Sequence, residues 1–418
     1  MTSSFKYNSI QFSYFIFAIS CLLMIAFFVA PAIMSITIVA LLAIGAVFIQ
    51  DVIRLFRDKK TLAIMISSLV LLQLLHLYSV SYSVNQAEAW RKLLLKAPFF
   101  LSFLLWPLFS KMKLSHKIGV LIVFNYAVFF TGSVSSLVYL LNRSYFDPLI
   151  LQAKPIPISF GYGIYHIQFS LLNAIAGING LLLLFFYKKN ITHDLSILLL
   201  IITLCNIVNL HILSARTGIM GFYLAAFALG VFVGIKKGKI LKWSFLILLC
   251  IVILPTFAYF ISGSFRNRIA NSMEDMETII ASKNPNDKSV AMRVEAWKTS
   301  ISLIKKNAII GVGLGDLETN LQEEYVINQT LLSPYNRKNP HNQFLETGIH
   351  TGVLGMLLLF TFFITYLISS QNNPMMLCVG VIIFSAMFFE SMLERQVSIN
   401  TMSFFLGFFM LLDNSIKK

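Results

Sequence analysis

The stretch NPHNQFLETGIHTGVLGMLLLFTFFITYLIS, residues 339–369, decides the fold. It opens on a proline, a histidine and an acid. After Glu346 it runs on with no Lys, Arg, Asp or Glu. A helix needs about 20 apolar residues to cross a bilayer, and this run supplies them. The rest of the chain repeats the pattern. Of 418 residues 57% are hydrophobic and only 12% charged, more apolar surface than a soluble globule can hide. The expectation is an all-α, polytopic membrane protein of about twelve helices. Their approximate bounds are 11–29, 32–50, 62–79, 94–110, 117–139, 162–187, 193–211, 216–235, 241–262, 341–369, 373–390 and 396–414. One integral membrane domain results: spans within 1–262, a large loop at 263–340, and the last spans within 341–418.

The formal charge of +15 invites a nucleic-acid reading, but the basic residues are divided among short loops. RLFRDKK (54–60), KMKLSHK (111–117), YKKN (187–190) and KKGKILK (236–242) fall on one face of the bundle. By the positive-inside rule that face is cytoplasmic, and Lys6 and the closing IKK put both termini there. No nucleic-acid partner is expected; membrane lipids are. The first apolar segment lacks a cleavage-like site and reads as a retained helix. Cys21, Cys205, Cys250 and Cys378 sit in apolar runs at irregular spacing and read as small hydrophobes rather than a disulfide or metal set.

The opposite face carries the long connections. The largest, 263–340, holds ten basic and nine acidic residues, and loops of that length are often functional. Within it SVAMRVEAWKTSISLIKK (289–306) shows amphipathic spacing through Val290, Val294, Trp297, Ile301 and Ile304. GVGLGD (311–316) lacks the Lys-Ser/Thr of a phosphate loop and reads as a tight surface turn.

Ionisable residues at the membrane border are functional candidates by default. Arg216 opens a helix that faces outward, where the dipole disfavours a cation and a nearby anion would compensate; the bland alternative is a snorkelling arginine. Arg293 lies close to the apolar stripe of 289–306, or else pairs with Glu295 on the surface. In the opening stretch, Asn339 fits a helix cap and Pro340 the first helical position. His341 then falls in the first turn, where the positive helix end favours a neutral imidazole able to take a proton. The alternative is an ordinary border histidine. Gly348, Gly352 and Gly355 fall within about 40° of His341 on the helical wheel, so that face is expected to pack inward. Glu346 points away. Arg91, in NQAEAWRK (85–92), is placed to touch an anionic lipid. Tyr162 and His166, in GYGIYHIQFS (161–170), are interface anchors or cavity-lining residues. Glu390, Glu394 and Arg395 share the last outer turn.

Three blocks resemble the O-antigen ligase and polymerase superfamily of bacterial inner-membrane glycan transferases. They are SARTG (214–218), RVEAWKTSISLIKKNAIIGVGLGD (293–316) and HNQFLETGIHTGVLG (341–355). The last is similar to the ligase pattern: His341, Asn342, nine residues, Gly352, two residues, Gly355. The resemblance implies a donor glycan on undecaprenyl pyrophosphate, presented at the periplasmic face. It implies transfer to a hydroxyl of lipid A–core, in lipopolysaccharide biosynthesis, or of another lipid-linked glycan in a polymerase. It further implies an inverting reaction without metal or other cofactor. His341 becomes the base and Arg216 and Arg293 bind the pyrophosphate, with Asn342, Arg91, His166 and Tyr162 as substrate contacts. A protein O-oligosaccharyltransferase is a further relative. A lipid-linked sugar transporter is the rival of another class; internal repeats would mark it, and none stands out.

Overall fold

The computed structural model describes residues 9–410 except 153 and 161–163. Lys6, the closing lysines and Tyr162 lie outside the described residues. The described residues form eighteen α-helices. The first twelve are α1 (Ser9–Val29), α2 (Pro31–Ala46), α3 (Ile49–Asp58), α4 (Lys60–Tyr82), α5 (Gln86–Phe100), α6 (Leu105–Ser110), α7 (Leu114–Leu141), α8 (Arg143–Leu151), α9 (His166–Phe186), α10 (His193–Leu213), α11 (Arg216–Lys236) and α12 (Ile240–Ile261). The connection after them folds into α13 (Gly263–Ile280), α14 (Ser289–Lys306) and α15 (Leu317–Ile327). The chain closes with α16 (Gln343–Ser369), α17 (Pro374–Ala386) and α18 (Gln396–Phe409). No strand occurs among the described residues.

Nine helices among the described residues are long and apolar enough to cross a membrane, and α2 with α3, bent by 69°, makes a tenth if taken as one span. The chain is a multi-pass membrane protein. The described helices fall short of twelve full spans because α17 is apolar but only 13 residues long, and α18 has 14. Burial separates hub from rim: 78% of the apolar window of α9 is buried, against 6% for α12. Helix α9 is therefore enclosed by protein, whereas the apolar side chains of α12, such as Phe245, Val252 and Phe260, face outward as lipid-facing residues do.

Close packing at the hub positions the site. Gly218, in the first turn of α11, lies so near α9 that a Cβ there would stand 2.4 Å from the Ser170 carbonyl oxygen. The start of α11, with Arg216, is thus pressed against the start of α9, with His166.

Helix α16 departs from the expected geometry at both its start and its middle. Asn342, not Asn339, is the cap. Its side-chain oxygen accepts from Phe344 N–H at 3.0 Å and Leu345 N–H at 3.1 Å. Asn339 and Pro340 precede the helix, and the Pro340 carbonyl accepts the Trp297 indole N–H at 2.7 Å. His341 also lies ahead of the helix rather than in its first turn. Its φ of 47° turns the chain, which a helical first-turn residue cannot do. In the middle, Gly352 has φ 73° and ψ −174°, so α16 is two helical pieces joined at a kink. The three glycines therefore do not share one straight face with His341. Gly348 meets Ile304 of α14, Gly352 meets the Ala308 and Ile309 carbonyls, and Gly355 lies against Thr351 and Leu72.

The kink frees backbone groups, and a membrane interior offers no water to satisfy them. The segment from Ala308 into the GVGLGD run supplies the partners. Val312 N–H donates to Ile349 O at 2.8 Å, Gly313 N–H to His350 O at 3.3 Å, and Val353 N–H to Ala308 O at 2.8 Å. This segment is no free surface turn; its backbone completes α16. Helix α14 forms as the amphipathic spacing predicts, but it buries Ala291, Ala296, Ser300, Leu303 and Ile304, leaving Ile301 exposed. Leu303 and Ile304 pack with Ile349 of α16, and Gly348 gives Ile304 room to approach. Of the four cysteines only Cys378 is buried.

Candidate functional site

A cavity of about 250 Å³ opens where α9, α11, α13, α14 and the start of α16 meet. His166, Ser214, Arg216, Arg268, Ser289, Arg293 and His341 line it. Arg216, Arg293, His341 and His166, far apart in sequence, are brought together here. Each arrives by a different device. Arg216 opens α11 after Ser214 takes φ 50° and breaks the chain between α10 and α11. Arg293 sits one turn into α14, whose start is held by the Asp275 carboxylate accepting Val290 N–H at 3.0 Å. His341 is fixed by the Asn342 cap on one side and the Trp297 bond on the other.

The contacts are asymmetric in charge. Arg216 Nη1 lies 3.7 Å from the Asp275 carboxylate, and its Nη2 donates to the Arg268 carbonyl oxygen at 3.3 Å. Arg293 Nη1 donates to the Phe389 carbonyl oxygen at 2.9 Å, and its Nη2 is 4.0 Å from Glu390. Arg268 Nη2 donates to the Lys154 carbonyl oxygen at 2.8 Å. The Nε atoms of Arg216 and Arg268 are buried without a hydrogen-bond partner. Three guanidinium groups thus face two carboxylates, Asp275 and Glu390. A buried charge in excess is costly, so the cavity favours an anion.

Electrostatics outside the spans agree. Burial pushes Arg268 down to about 10, and Arg216 beside it adds to the effect. Burial also lowers Arg293, partly opposed by Glu390. Burial raises Asp275, offset in part by the Val290 N–H and Arg216. Glu390 shows the reverse balance. Burial works to raise it, but the hydrogen bond from His341, with the charges of His341, Arg293 and Arg395, holds it below the ordinary 4.5.

His341 Nδ1 stands 3.3 Å from Glu390 Oε2. A carboxylate on one ring nitrogen orients the imidazole and leaves the other nitrogen for a second partner. The geometry can therefore bind a multiply charged anion and accept a proton beside it.

Other expected contacts fall elsewhere. Arg91 is exposed on α5 and pairs with Glu88 at 2.6 Å, outside the cavity, because the two are i,i+3 neighbours on one helix face. Both ends of the Asn342 amide are engaged: the oxygen caps α16 and the nitrogen donates to the Phe388 carbonyl oxygen at 3.1 Å. It caps α16 and is not among the residues that line the cavity. Glu295 pairs with Lys298 rather than with Arg293. Arg268 did not emerge from the sequence; Glu390 did, as one of the outer-turn charges, but its contact with His341 did not. Arg268 lies in the loop before any amphipathic stripe, and the Glu390–His341 contact joins distant chain segments. The one legible signal was charge on an outer turn, shared by Glu390, Glu394 and Arg395. Of these, Arg395 lies over the Tyr165 ring, 4.6 Å from its centroid.

No curated protein matches the chain. Residues 197–360, from within α10 to within α16, match the family model described as O-Antigen ligase, and this stretch holds Arg216, Arg268, Arg293 and His341.

Proposed function

We propose that the protein is an O-antigen ligase-type glycosyltransferase, moving a glycan from undecaprenyl pyrophosphate to a hydroxyl of lipid A–core. The observation that carries this reading is the shared cavity of Arg216, Arg268, Arg293 and His341. Such a site needs cations for a departing pyrophosphate and a base for the incoming hydroxyl, side by side. In this reading the 263–340 connection and the cavity face the periplasm, both termini face the cytoplasm, and the bundle sits in the bacterial inner membrane.

The pyrophosphate binds to the arginines. Guanidinium forks suit phosphate oxygens, and the start of α11 adds backbone N–H groups and a positive dipole end. The acceptor hydroxyl then approaches the anomeric carbon from the face opposite the leaving group. Its oxygen forms the new bond while the bond from the anomeric carbon to the phosphate oxygen breaks. The electron pair leaves with the pyrophosphate, and the hydroxyl proton passes to His341. One displacement inverts the configuration. Glu390 stabilises the imidazolium that forms, and the arginines meet the charge that develops on the leaving oxygen. The positive charge is supplied by three guanidiniums, a donor set that serves the leaving group without a metal ion.

Purified protein given a lipid-pyrophosphate glycan and lipid A–core is expected to release undecaprenyl pyrophosphate and form the joined product. Product formed only when a second lipid-linked glycan replaces lipid A–core makes it a polymerase. No transfer to any acceptor, with donor carried across a vesicle membrane, overturns the reading.

A further inference from the structure

Deeper than the cavity, α4, α5, α16 and the turn at 387–395 meet around a second set of charges. Lys96 of α5 is fully buried. Its Nζ donates to the Leu393 carbonyl oxygen at 3.2 Å and pairs with the Glu394 carboxylate. Lys92, one turn earlier on α5, lies 3.9 Å from that carboxylate. Glu346 and His350 of α16 are fully buried beside them, and His76 of α4 lies against the His350 ring.

Ligand atoms of Glu346, His350 and Glu394 come within 4.8 Å of one another, a spacing that fits a metal ion. Charge decides against that. The cluster already holds two ammonium groups for its two carboxylates; both approach Glu394, and Lys96 sits on it where the ion would bind, while the Glu346 oxygens are buried without a hydrogen-bond partner. A divalent cation added here would leave two positive charges in excess in an interior that punishes even one. The lysines are the cations of this cluster.

What the cluster holds is the turn that carries Glu390. The other edge of that turn is clamped by the start of α16. Gln343 N–H donates to the Met387 carbonyl oxygen at 2.8 Å, Leu393 N–H donates to the Gln343 side-chain oxygen at 2.6 Å, and the Asn342 amide nitrogen donates to Phe388 O. Between the two clamps, the Phe389 carbonyl meets Arg293 and Glu390 meets His341.

We propose that Lys96 is a positioning residue: by holding Glu394 and the Leu393 carbonyl it fixes the 387–395 turn so that Glu390 stays against His341 and Phe389 O against Arg293. This rests on the transferase reading for its kinetic consequence, though not for its structural one. Removing the ammonium leaves the half-buried Glu394 carboxylate with only the more distant Lys92. The turn then shifts to relieve that charge, and Glu390 shifts with it.

The test uses full-length protein in detergent micelles carrying Lys96→Met, Lys96→Arg or Glu394→Gln, with His341→Ala as the control for the reaction. For Lys96→Met and Glu394→Gln, kcat is expected to fall roughly tenfold to a hundredfold, the effect of a small misplacement near the chemistry. KM for the lipid donor changes less than kcat, and only through the Phe389–Arg293 contact. The groups facing Glu390 are His341, His166, Arg293 and Arg395. With the His341 contact loosened, Glu390 loses what holds it below its ordinary value, so the acid limb that Glu390 itself sets moves to higher pH. Lys96→Arg, which keeps a cation on Glu394, recovers most of the lost kcat. Amide exchange over 387–395, read by mass spectrometry, quickens in Lys96→Met whatever reaction the protein performs. A folded Lys96→Met or Glu394→Gln with wild-type kcat and acid limb overturns the proposal, even if its thermal midpoint drops, because the pair then serves stability alone. One bound metal per purified chain, lost in Glu346→Gln, overturns it as well. Full turnover in His341→Ala defeats the transferase reading separately, while the exchange measurement still decides whether Lys96 holds the turn.

Discussion

The cavity around His341 and the cluster around Lys96 are built from the same two pieces of chain, the start of α16 and the turn before α18. Both hold carboxylates, cations and histidine. They differ in balance and access. The cavity has three guanidiniums against two carboxylates, and it is open. The Lys96 cluster holds two ammoniums for two carboxylates, and Lys96, Glu346 and His350 are closed in by packing. Charge in excess and within reach marks a place for a ligand; charge in balance and sealed marks a joint. Residue types alone do not separate the two, since Glu346 and His350 look as functional in sequence as Glu390 and His341.

The largest expected effect tests the open side. His341→Ala is expected to lower kcat by about 10³-fold while donor binding survives, the range for loss of a general base. Single-turnover transfer and a separate donor-binding measurement check it. If His350→Ala in the sealed cluster costs as much, the two regions do not differ in kind. Next come the arginines. Arg216→Ala or Arg268→Ala is expected to weaken donor binding by about 2 kcal/mol, roughly 30-fold, with a smaller change in kcat for a saturating donor. Arg268 is the sharper probe, because no sequence motif marked it.

How far the sequence reached depends on which physical signal carried the information. Hydropathy located the spans because the cost of a charge in lipid acts residue by residue. It overcounted long crossings where apolar helices such as α17 end early. The approach of Arg216, Arg293 and His341 was foreshadowed by their positions at helix borders on one side. The local frame of His341 was not. The residue series Asn339, Pro340 and His341 fits a helix start on local propensity, yet the helix begins at Gln343, because Asn342 caps two N–H groups and Trp297 captures Pro340. The glycine face failed for a similar reason. A helical wheel assumes a straight helix, and the kink at Gly352 exists only because a segment about forty residues earlier supplies its hydrogen bonds.

That kink joins the two regions, so it tests whether they are mechanically coupled. Gly352→Ala forces a side chain into a backbone conformation that L residues rarely adopt, and its Cβ would meet the Ile309 carbonyl oxygen at 2.5 Å. A loss of about 2–3 kcal/mol in stability is expected, read as a lower thermal midpoint in detergent. A variant that stays folded but loses transfer shows that the kink sets the cavity's shape. A smaller effect comes from pH. Glu390 is held below its ordinary 4.5, so its contribution to stability is whole above that value and fades as pH falls through the lowered one. Acid unfolding followed by Trp fluorescence is expected to begin at higher pH in Glu390→Gln than in wild type only if some other carboxylate carries the acid limit; if Glu390 carries it, the variant loses that pH dependence.

The smallest effect is expected at Arg91, and it is the most direct check on the rule that charge must be in reach of the cavity. Arg91 is as basic as Arg216 and lies on a spanning helix, and sequence reading gave it a place at an anionic group. In the fold its guanidinium is 64% exposed and forked onto Glu88 three residues away. An exposed pair of this kind gains little, because water screens the attraction and two long side chains lose freedom. Arg91→Ala is therefore expected to keep donor KM and kcat roughly within twofold of wild type, measured beside Arg268→Ala in the same assay. An Arg91 variant that weakens donor binding as Arg268→Ala does would mean that the anion is gathered along the outer rim as well as in the cavity. The contrast between an open, unbalanced site and its surroundings would then have to be redrawn to include the start of α5.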